Sequence, residues 1–220
     1  MSNRYHFDPT SVAVDIHADL GRPLHVEVGF GKDVRILRAA EQRPDEWFLG
    51  VEISRKKAVK FCQKVARAGL RNVRAYQGDV RVALREMLPP ASVSSFTILF
   101  PDPWPKRRHR KHRWIREGTA EQVARALVDG GEVTVATDHA GYMDQIRAGF
   151  QAAGLVLNHE DTEIPADDRT LFAERFERLA QGVTYQRWHK VGPTTGAADR
   201  GQRMVGDAGG PPISTTTKRS

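Results

Sequence analysis

Short apolar runs alternate along the chain with segments of helical spacing. The strand candidates are rich in Val, Ile and Phe: LHVEV at 24–28, EWFLGVEI at 46–53, NVRAY at 72–76, SSFTILF at 94–100 and GEVTVAT at 131–137. The segments between them repeat apolar residues every three to four positions: VRILRAAEQ, RKKAVKFCQKVARAG, VRVALREML and WIREGTAEQVARALVDGG. Two of these segments end in glycine, which predicts that their helices stop there. This alternation predicts an α/β fold of the open, doubly wound class, with a mostly parallel sheet covered on both faces.

The same pattern continues to about residue 191 and then stops. A helix, HAGYMDQIRAGFQAAG, is followed by two more strands, LVLNH and VTYQRWHKV, which bring the predicted sheet to seven strands. From Gly192 onward there is no aromatic residue, and glycine, proline and small polar residues dominate, so this segment cannot bury enough surface to order itself. We therefore expect an N-terminal extension at 1–20, one domain at 21–191 and a disordered tail at 192–220.

Composition narrows the class of protein further. No apolar stretch approaches the length of a membrane span, and the N-terminus, MSNRYHFDPTSVAVD, lacks the basic-then-apolar layout of a secretion signal. The single cysteine, Cys62, can form no internal disulfide bond. These features predict a cytoplasmic protein with no membrane partner.

A glycine-rich turn, VEVGFGKD, ends the first predicted strand. Ligands of open parallel sheets bind at the carboxyl ends of the strands, and Gly29 and Gly31 allow the backbone to turn sharply beside one. Glu52 ends the second strand, where a carboxylate can accept hydrogen bonds from both hydroxyls of a ribose. Asp79 follows the third strand and suits an adenine amino group. Either acid alone could cap a helix, but together with the glycines they predict a nucleoside pocket.

Two cofactor classes fit such a pocket. A dinucleotide site would have a third glycine at position 34, where this chain has Val34, and Glu27 would repel a pyrophosphate. S-adenosylmethionine carries a cationic sulfonium and an ammonium group, which an acidic rim favours. The sequence therefore favours the methyl donor.

Positive charge is concentrated in one loop. Residues 106–116, KRRHRKHRWIR, contain seven Lys or Arg and no acid, and the net charge of the whole chain is +7, so the remainder is neutral. A run of this length with an aromatic residue inside it favours a polyanion site over a merely solvated surface. His109 and His112 have a spacing that could serve a metal, but no cysteine or acid joins them in the loop, so we expect no metal.

The stretch just before these cations, FPDPW, adds an acid and an aromatic ring. Pro101 and Pro103 fix the backbone around Asp102, a carboxylate that looks buried in this setting, and Trp104 offers a flat apolar face. A carboxylate beside an aromatic plate suits a nucleobase, which needs hydrogen bonds at its edge and a stacking surface. The pattern predicts that Asp102 contacts a base while the cations hold its phosphates.

Five motifs occur together: VEVGFG, FLGVEI, GD, FPDPWPKRRHRKHRW and VATD. Together they resemble the tRNA (guanine-N7)-methyltransferase family, over roughly residues 20–190. The resemblance implies a class I, Rossmann-like methyltransferase fold. It also implies methyl transfer from S-adenosylmethionine to N7 of a guanosine in the variable loop of tRNA. The cofactor and target site would be lined by six residues, among which Asp102 would be the catalytic acidic group: Glu27, Gly29, Gly31, Glu52, Asp79 and Asp102.

The same resemblance implies a set of substrate contacts. The base and its neighbours would meet Trp104, Lys106 and Asp138, and the RNA would meet the cations from Arg108 to Arg113. The full expected set is Trp104, Lys106, Arg108, Arg110, Lys111, Arg113, Asp138, Thr170 and Glu174. Guanine N7 carries a free lone pair, so attack on the methyl group needs no general base, and Asp102 is expected to orient the base.

Two positions depart from the family pattern. Asp33 stands where the family has a third glycine, and its charge at the start of the next helix would crowd the methionine carboxylate of the cofactor. The family's Thr-x-x-Glu motif matches Thr170, but Ala173 takes the place of the glutamate. Glu174 lies one residue after the expected position, and on a helix a shift of one residue rotates the direction of the side chain by about 100°.

These departures leave two alternatives open. A divergent paralogue would methylate a free guanine-like small molecule, and a noncatalytic protein would keep the RNA-binding face without turnover. The seven cations of the loop favour RNA, whereas Asp33 and Ala173 weigh the other way. The sequence does not distinguish a monomer from a homodimer.

Overall fold

The computed structural model describes residues 21–32, 35–168 and 182–192, and of Glu117 only the backbone. The predicted extension at 1–20 and nearly all of the predicted tail at 192–220 lie outside the described residues. So do five of the residues considered above, namely Asp33, Val34, Thr170, Ala173 and Glu174. Within the described ranges, no helix has the length and apolar character needed to cross a membrane.

Seven strands of the described chain form one sheet in the order β3-β2-β1-β4-β5-β7-β6. Their bounds are β1 Leu24–Val28, β2 Trp47–Glu52, β3 Val73–Gln77, β4 Val93–Leu99, β5 Leu127–Thr137, β6 Leu155–Asp161 and β7 Thr184–Lys190. Strands β1 to β5 run parallel, and β7 is antiparallel to both of its neighbours. The predicted fold class, a mostly parallel and doubly wound sheet, is therefore confirmed.

Helices connect the parallel strands. They are α1 Arg35–Gln42, α2 Arg55–Ala68, α3 Val80–Val82, which continues as a π-helical turn at Ala83–Met87, α4 Glu117–Ala126 and α5 Ala140–Ala152. Two 3-10 segments, Arg107–His112 and Ala166–Asp168, lie in the longer connections. Gly69 ends α2 with a left-handed φ of 67° and donates its N–H to the Ala66 carbonyl at 3.2 Å, which confirms the predicted glycine stop.

The helix predicted within residues 114–131 is too long at its C-terminal end. In the structure the helix ends at Ala126, and Leu127 already pairs with Val93 as the first residue of β5. A Cβ atom added at Gly131 would lie 2.9 Å from the Val128 carbonyl, and Gly130 has a φ of 77°. The glycines that suggested a helix stop therefore serve a tight bend inside a strand.

The central strands explain why the sheet forms and where its ligand edge lies. Consecutive residues are buried at positions 96–98 of β4 and 135–137 of β5, as expected for strands covered on both faces. The register pairs Val28 with both Val51 and Ile98, so the carboxyl ends of β1, β2 and β4 finish side by side. The glycine turn, Glu52 and the segment that begins at Phe100 therefore emerge along one edge of the sheet.

Candidate functional site

Glu52 fastens the glycine turn to the start of α2. Gly29 and Gly31 have φ values of 77° and 61°, in the left-handed region that favours glycine. Oε2 of Glu52 accepts the N–H of Gly31 at 3.1 Å, and Oε1 accepts the N–H of Ser54 at 2.9 Å. The side chain is buried, but each carboxylate oxygen can accept a further hydrogen bond. Glu52 thus sets the shape of the turn and retains acceptor capacity for a ligand.

The surface beside Glu52 fits a nucleoside. No protein atom lies within 4 Å of the position that a Cβ atom would take at Gly29, so the turn leaves room for a ligand against its backbone. Ile53 is 70% exposed, although it directly follows β2, in which five of the six residues are buried. An exposed apolar side chain next to a carboxylate with free acceptor capacity could contact the face of a purine. Ile53 was missed from sequence because it looked like the last residue of the strand.

Asp79 is held by Arg81. One of its oxygens accepts the backbone N–H of Arg81 at 2.9 Å and caps α3, and both oxygens bond to the Arg81 guanidinium. The hydrogen bonds from the Arg81 side chain lower the pKa of Asp79 below its usual value. The helix-capping alternative for this acid is therefore confirmed, while contact with an adenine stays a prediction.

Glu27 does not supply a free negative charge. It lies buried under Arg35, whose guanidinium donates to its Oε2 at 3.0 and 3.1 Å and also reaches Asp168 at 3.0 Å. Asp168 in turn accepts the hydroxyl of Tyr185 at 2.7 Å and lies 3.6 Å from Arg187. The two carboxylates, Glu27 and Asp168, are thus balanced by two cations, and contact of Glu27 with the cofactor stays a prediction.

This network also fixes Tyr185 in the un-ionised state. Burial and the hydrogen bond to Asp168 raise the pKa of Tyr185 to about 12. Asp168 and Arg35 are 133 residues apart in sequence, so no local pattern identified the network. Through Asp168 it joins α1 to β7.

Asp102 is exposed, so the expectation of a buried carboxylate is wrong. Its Oδ1 accepts the backbone N–H of Trp104 at 3.2 Å, which closes a tight turn around Pro103. Phe100 and Trp104 have φ values of 53° and 40°, a strained region for residues with a side chain. The turn is thus held in an unusual conformation, with the carboxylate facing solvent at the carboxyl edge of the sheet.

Trp104 is half-buried and has imidazoles beside it. The centroid of the His112 ring lies 5.0 Å from that of Trp104, and the His109 ring lies 5.9 Å away in an edge-on arrangement. Both histidines belong to the 3-10 segment that carries the cations. This segment therefore folds back against the aromatic residue that follows Asp102.

Most of the predicted RNA contacts are exposed cations. Lys106, Arg108, Arg110 and Lys111 all face solvent. Arg113 differs, because it is only 1% exposed and its guanidinium contacts the protein itself. It donates to the carbonyl of Pro103 at 2.6 Å, to the carbonyl of Gly141 at 3.2 Å and to Oε1 of Gln145 at 3.0 Å. The predicted RNA contact of Arg113 is therefore corrected to an internal one.

Tyr142 and Asp138 complete the neighbourhood of Asp102. Tyr142 is fully buried beneath Arg113, whose guanidinium carbon lies 4.7 Å from its ring centroid, and burial raises the pKa of Tyr142 to about 12. Its hydroxyl oxygen accepts the N–H of Ile115 at 3.2 Å, so it packs the loop and does not line a pocket. Asp138 is exposed just after β5, at the same edge of the sheet as Asp102.

Known proteins resemble this chain both in sequence and in fold. A family model described as "Putative methyltransferase" matches residues 21–187. A tRNA (guanine-N(7)-)-methyltransferase of Nocardia farcinica is 31% identical over 81% of this chain and 72% of its own length. One of Thermus thermophilus is 38% identical over 77% of this chain, which spans only 54% of that relative.

Solved structures match the fold at low identity. An antibiotic-related methyltransferase covers 82% of this chain and 94% of its own with a TM-score of 0.58 and 16% identity. A 30S ribosomal A1408 methyltransferase from an uncultured bacterium covers 84% and 95% with a TM-score of 0.56 and 12% identity. These likenesses show a class I methyltransferase fold. The family model and the relative from Nocardia farcinica show that this chain belongs to the tRNA (guanine-N7)-methyltransferase family.

Proposed function

We propose that this protein transfers a methyl group from S-adenosylmethionine to N7 of a guanosine in the variable loop of tRNA. The observation that carries the proposal is the position of the Asp102–Trp104 turn. It leaves β4 next to β1, whose glycine turn is bound by Glu52, and it leads directly into the exposed cations of residues 106–111. A nucleotide at this turn would have a cofactor site on one side and phosphate-binding cations on the other.

The residues that would hold the cofactor lie along β1, β2 and β3. The remaining acceptor capacity of Glu52 suits the ribose hydroxyls, exposed Ile53 suits one face of the adenine, and Asp79 suits its amino group. The turn at Gly29 and Gly31 suits the methionine end. When bound there, S-adenosylmethionine supplies an electrophilic methyl group on a cationic sulfur.

The chain's own residues position the acceptor. Trp104 offers a stacking face, and Asp102 can accept a hydrogen bond from the edge of a guanine. The N7 lone pair would take the methyl group that S-adenosylmethionine supplies, so the purine ring would gain the positive charge that the sulfur loses. The exposed carboxylate of Asp102 would orient the base through this hydrogen bond, and its negative charge would stabilise the positive charge that the purine gains.

RNA is favoured over a small acceptor by the exposed cations. Lys106, Arg108, Arg110 and Lys111 project from the segment after the turn, where a free purine would have no use for them. An RNA backbone releases counterions when such side chains bind its phosphates. A tRNA substrate also places the activity in the cytoplasm.

The proposal is tested by offering two acceptor pools. Full-length protein is incubated with S-adenosylmethionine labelled in its methyl group and with either total tRNA or a mixture of free purines. We expect label in tRNA and none in the purines. Label in the purines would establish the small-molecule alternative, and binding of tRNA without label would establish a noncatalytic RNA-binding protein.

A further inference from the structure

A second cationic surface lies on α2, outside the loop that holds the net charge. Residues 55–74 contain eight Lys or Arg and no acid, against seven in the loop at 106–116. The net charge does not reveal this surface, because acids elsewhere in the chain cancel its contribution. Five of its cations are exposed: Arg55, Lys56, Lys60, Arg67 and Arg71.

Three of these cations form a stripe along α2. Lys56, Lys60 and Arg67 are all exposed, and at 100° per residue they lie within about 40° of one another around the helix axis. The stripe is about 16 Å long at 1.5 Å per residue. Arg71 continues it beyond the glycine that ends the helix and is also exposed.

Few of the eight cations have an acidic partner. Lys57 lies 3.6 Å from Glu52, and Lys64 donates to the carbonyl of Lys32 at 2.8 Å. In the part of the chain that the structure describes, none of the following five is paired with an acid: Arg55, Lys56, Lys60, Arg67 and Arg71. The stripe therefore presents uncompensated positive charge.

The arrangement is unfavourable for the helix itself. The first turn of α2 holds three cations and no acid, although the positive end of the helix dipole lies there. Lys56 and Lys60, and Lys60 and Lys64, are like-charged pairs at a spacing of four residues, which also destabilises a helix. A face that opposes local helix stability and lacks acidic partners is suited to an external polyanion.

The position of α2 points to the same polyanion that the loop would bind. Ser54, which precedes the helix, donates its N–H to Glu52, so α2 begins beside the cofactor site at the carboxyl edge of the sheet. The Asp102 turn emerges from the same edge, two strands away. An RNA whose guanosine reaches Asp102 would pass the first turn of α2 and could follow the stripe outward.

We propose that the stripe of Lys56, Lys60 and Arg67 binds the phosphate backbone of the RNA substrate, at a distance from the methylated nucleotide. This inference rests on the proposed function, because it takes tRNA to be the substrate. The loop at 106–116 and the stripe on α2 then act as two separate anchors. Each contributes its own share of the salt dependence of binding.

The test is a double variant, Lys56→Ala with Lys60→Ala, in the full chain. Its matched control is Arg85→Ala with Arg147→Ala, which removes the same charge from two arginines outside the stripe that already pair with Glu86 and Glu160. Affinity for tRNA is measured across a range of salt concentrations. For the α2 variant we expect the slope of log affinity against log salt to fall by roughly 1.4–1.8, the loss of two phosphate contacts, and KM for tRNA to rise. The control should keep the wild-type slope.

The outcomes separate this inference from the proposed function. If wild type methylates tRNA but the α2 variant keeps the wild-type slope and KM, the stripe proposal is overturned and the proposed function stands. If the α2 variant loses binding to vesicles of phosphatidylserine and phosphatidylcholine but not to tRNA, the stripe is a membrane-binding surface instead. If wild type does not methylate tRNA at all, the proposed function fails first. Alanine is the best helix former, so the variant should fold, and equal melting curves confirm it.

Discussion

Arg113 donates a hydrogen bond from Nε to the carbonyl of Pro103 at 2.6 Å, and so ties the end of the cationic segment back to the turn that carries Asp102. The same guanidinium contacts Gly141 and Gln145 of α5. One buried cation thus fixes the strained turn against a helix of the domain. The other cations of this segment face solvent. The Arg113 guanidinium instead bonds to the backbone of the turn, so it would affect the site by positioning the turn and not by binding phosphate.

The first prediction concerns this residue. Arg113→Gln should lower the single-turnover methylation rate at saturating tRNA by roughly tenfold or more, because a turn that is out of place misorients the base. It should leave RNA affinity nearly unchanged. Unfolding in urea should show a loss of about 1–3 kcal/mol, the cost of carbonyls left without partners.

Arg113→Lys and Arg110→Gln complete this experiment. The lysine can still donate to the Pro103 carbonyl and should recover part of the rate, which a purely global loss of stability would not explain. Arg110 is exposed, so Arg110→Gln should weaken RNA binding and its salt dependence and leave the saturated rate intact. The opposite assignment, with Arg113 affecting salt dependence and Arg110 the rate, would contradict the account.

A second prediction concerns cofactor binding. Glu52→Gln replaces one acceptor oxygen with a donor amide, so it loses either the Gly31 or the Ser54 bond and one ribose contact. We expect affinity for S-adenosylmethionine to weaken by about 1–3 kcal/mol in calorimetry. The control is Glu86→Gln, at an exposed glutamate paired with Arg85. Unchanged binding in Glu52→Gln would remove this residue from the cofactor site.

A third prediction uses the pH dependence of stability. The hydrogen bonds from Arg81 lower the pKa of Asp79 in the folded protein, whereas an unfolded aspartate titrates near pH 3.9. The stabilisation is therefore fully present above about pH 4 and is lost as the pH falls through the folded pKa. Asparagine preserves the helix cap but cannot ionise. The Tm difference between wild type and Asp79→Asn should shrink as the pH drops from 6 to 3, and a constant difference would contradict the ion pair.

A fourth prediction addresses Asp102. Asp102→Asn keeps the size of the side chain and the oxygen that accepts the Trp104 N–H, but removes the charge that stabilises the purine. We expect the single-turnover rate to fall by about 10²-fold or more, while tRNA affinity, which depends on phosphate contacts, changes little. Since the side chain is exposed, the melting temperature should stay the same. A variant with the wild-type rate would show that Asp102 only shapes the turn.

The sequence predicted the fold well because buried strands such as β2, in which five of the six residues are buried, read as nearly continuous apolar runs. The edge at which the ligand residues gather followed from this, since parallel strands share a carboxyl edge. The burial of Arg113 could not be predicted in the same way. Nothing local distinguishes it from the cations around it, and its partners at Gly141 and Gln145 lie 28 and 32 residues away.

The environment of Glu27 shows the same limit. Its pairing with Arg35 depends on how α1 returns to the sheet, and the further link to Asp168 depends on the distant C-terminal part of the fold. Charge counting also obscured the α2 stripe, because a net charge hides cations whose balancing acids lie elsewhere. Residue types and strand order could be predicted from sequence, whereas the partner of each charge could not.

The most direct test of the central claim asks whether the acceptor atom is N7 of guanine. Two tRNA transcripts of the same sequence are compared, one made with guanosine and one with 7-deazaguanosine, which has carbon in place of N7. Both are incubated with wild-type protein and methyl-labelled S-adenosylmethionine and then digested to nucleosides. The account predicts label in 7-methylguanosine from the first transcript, at a position in the variable loop, and no label from the second. Equal labelling of both transcripts, or label in any other nucleoside, would contradict it.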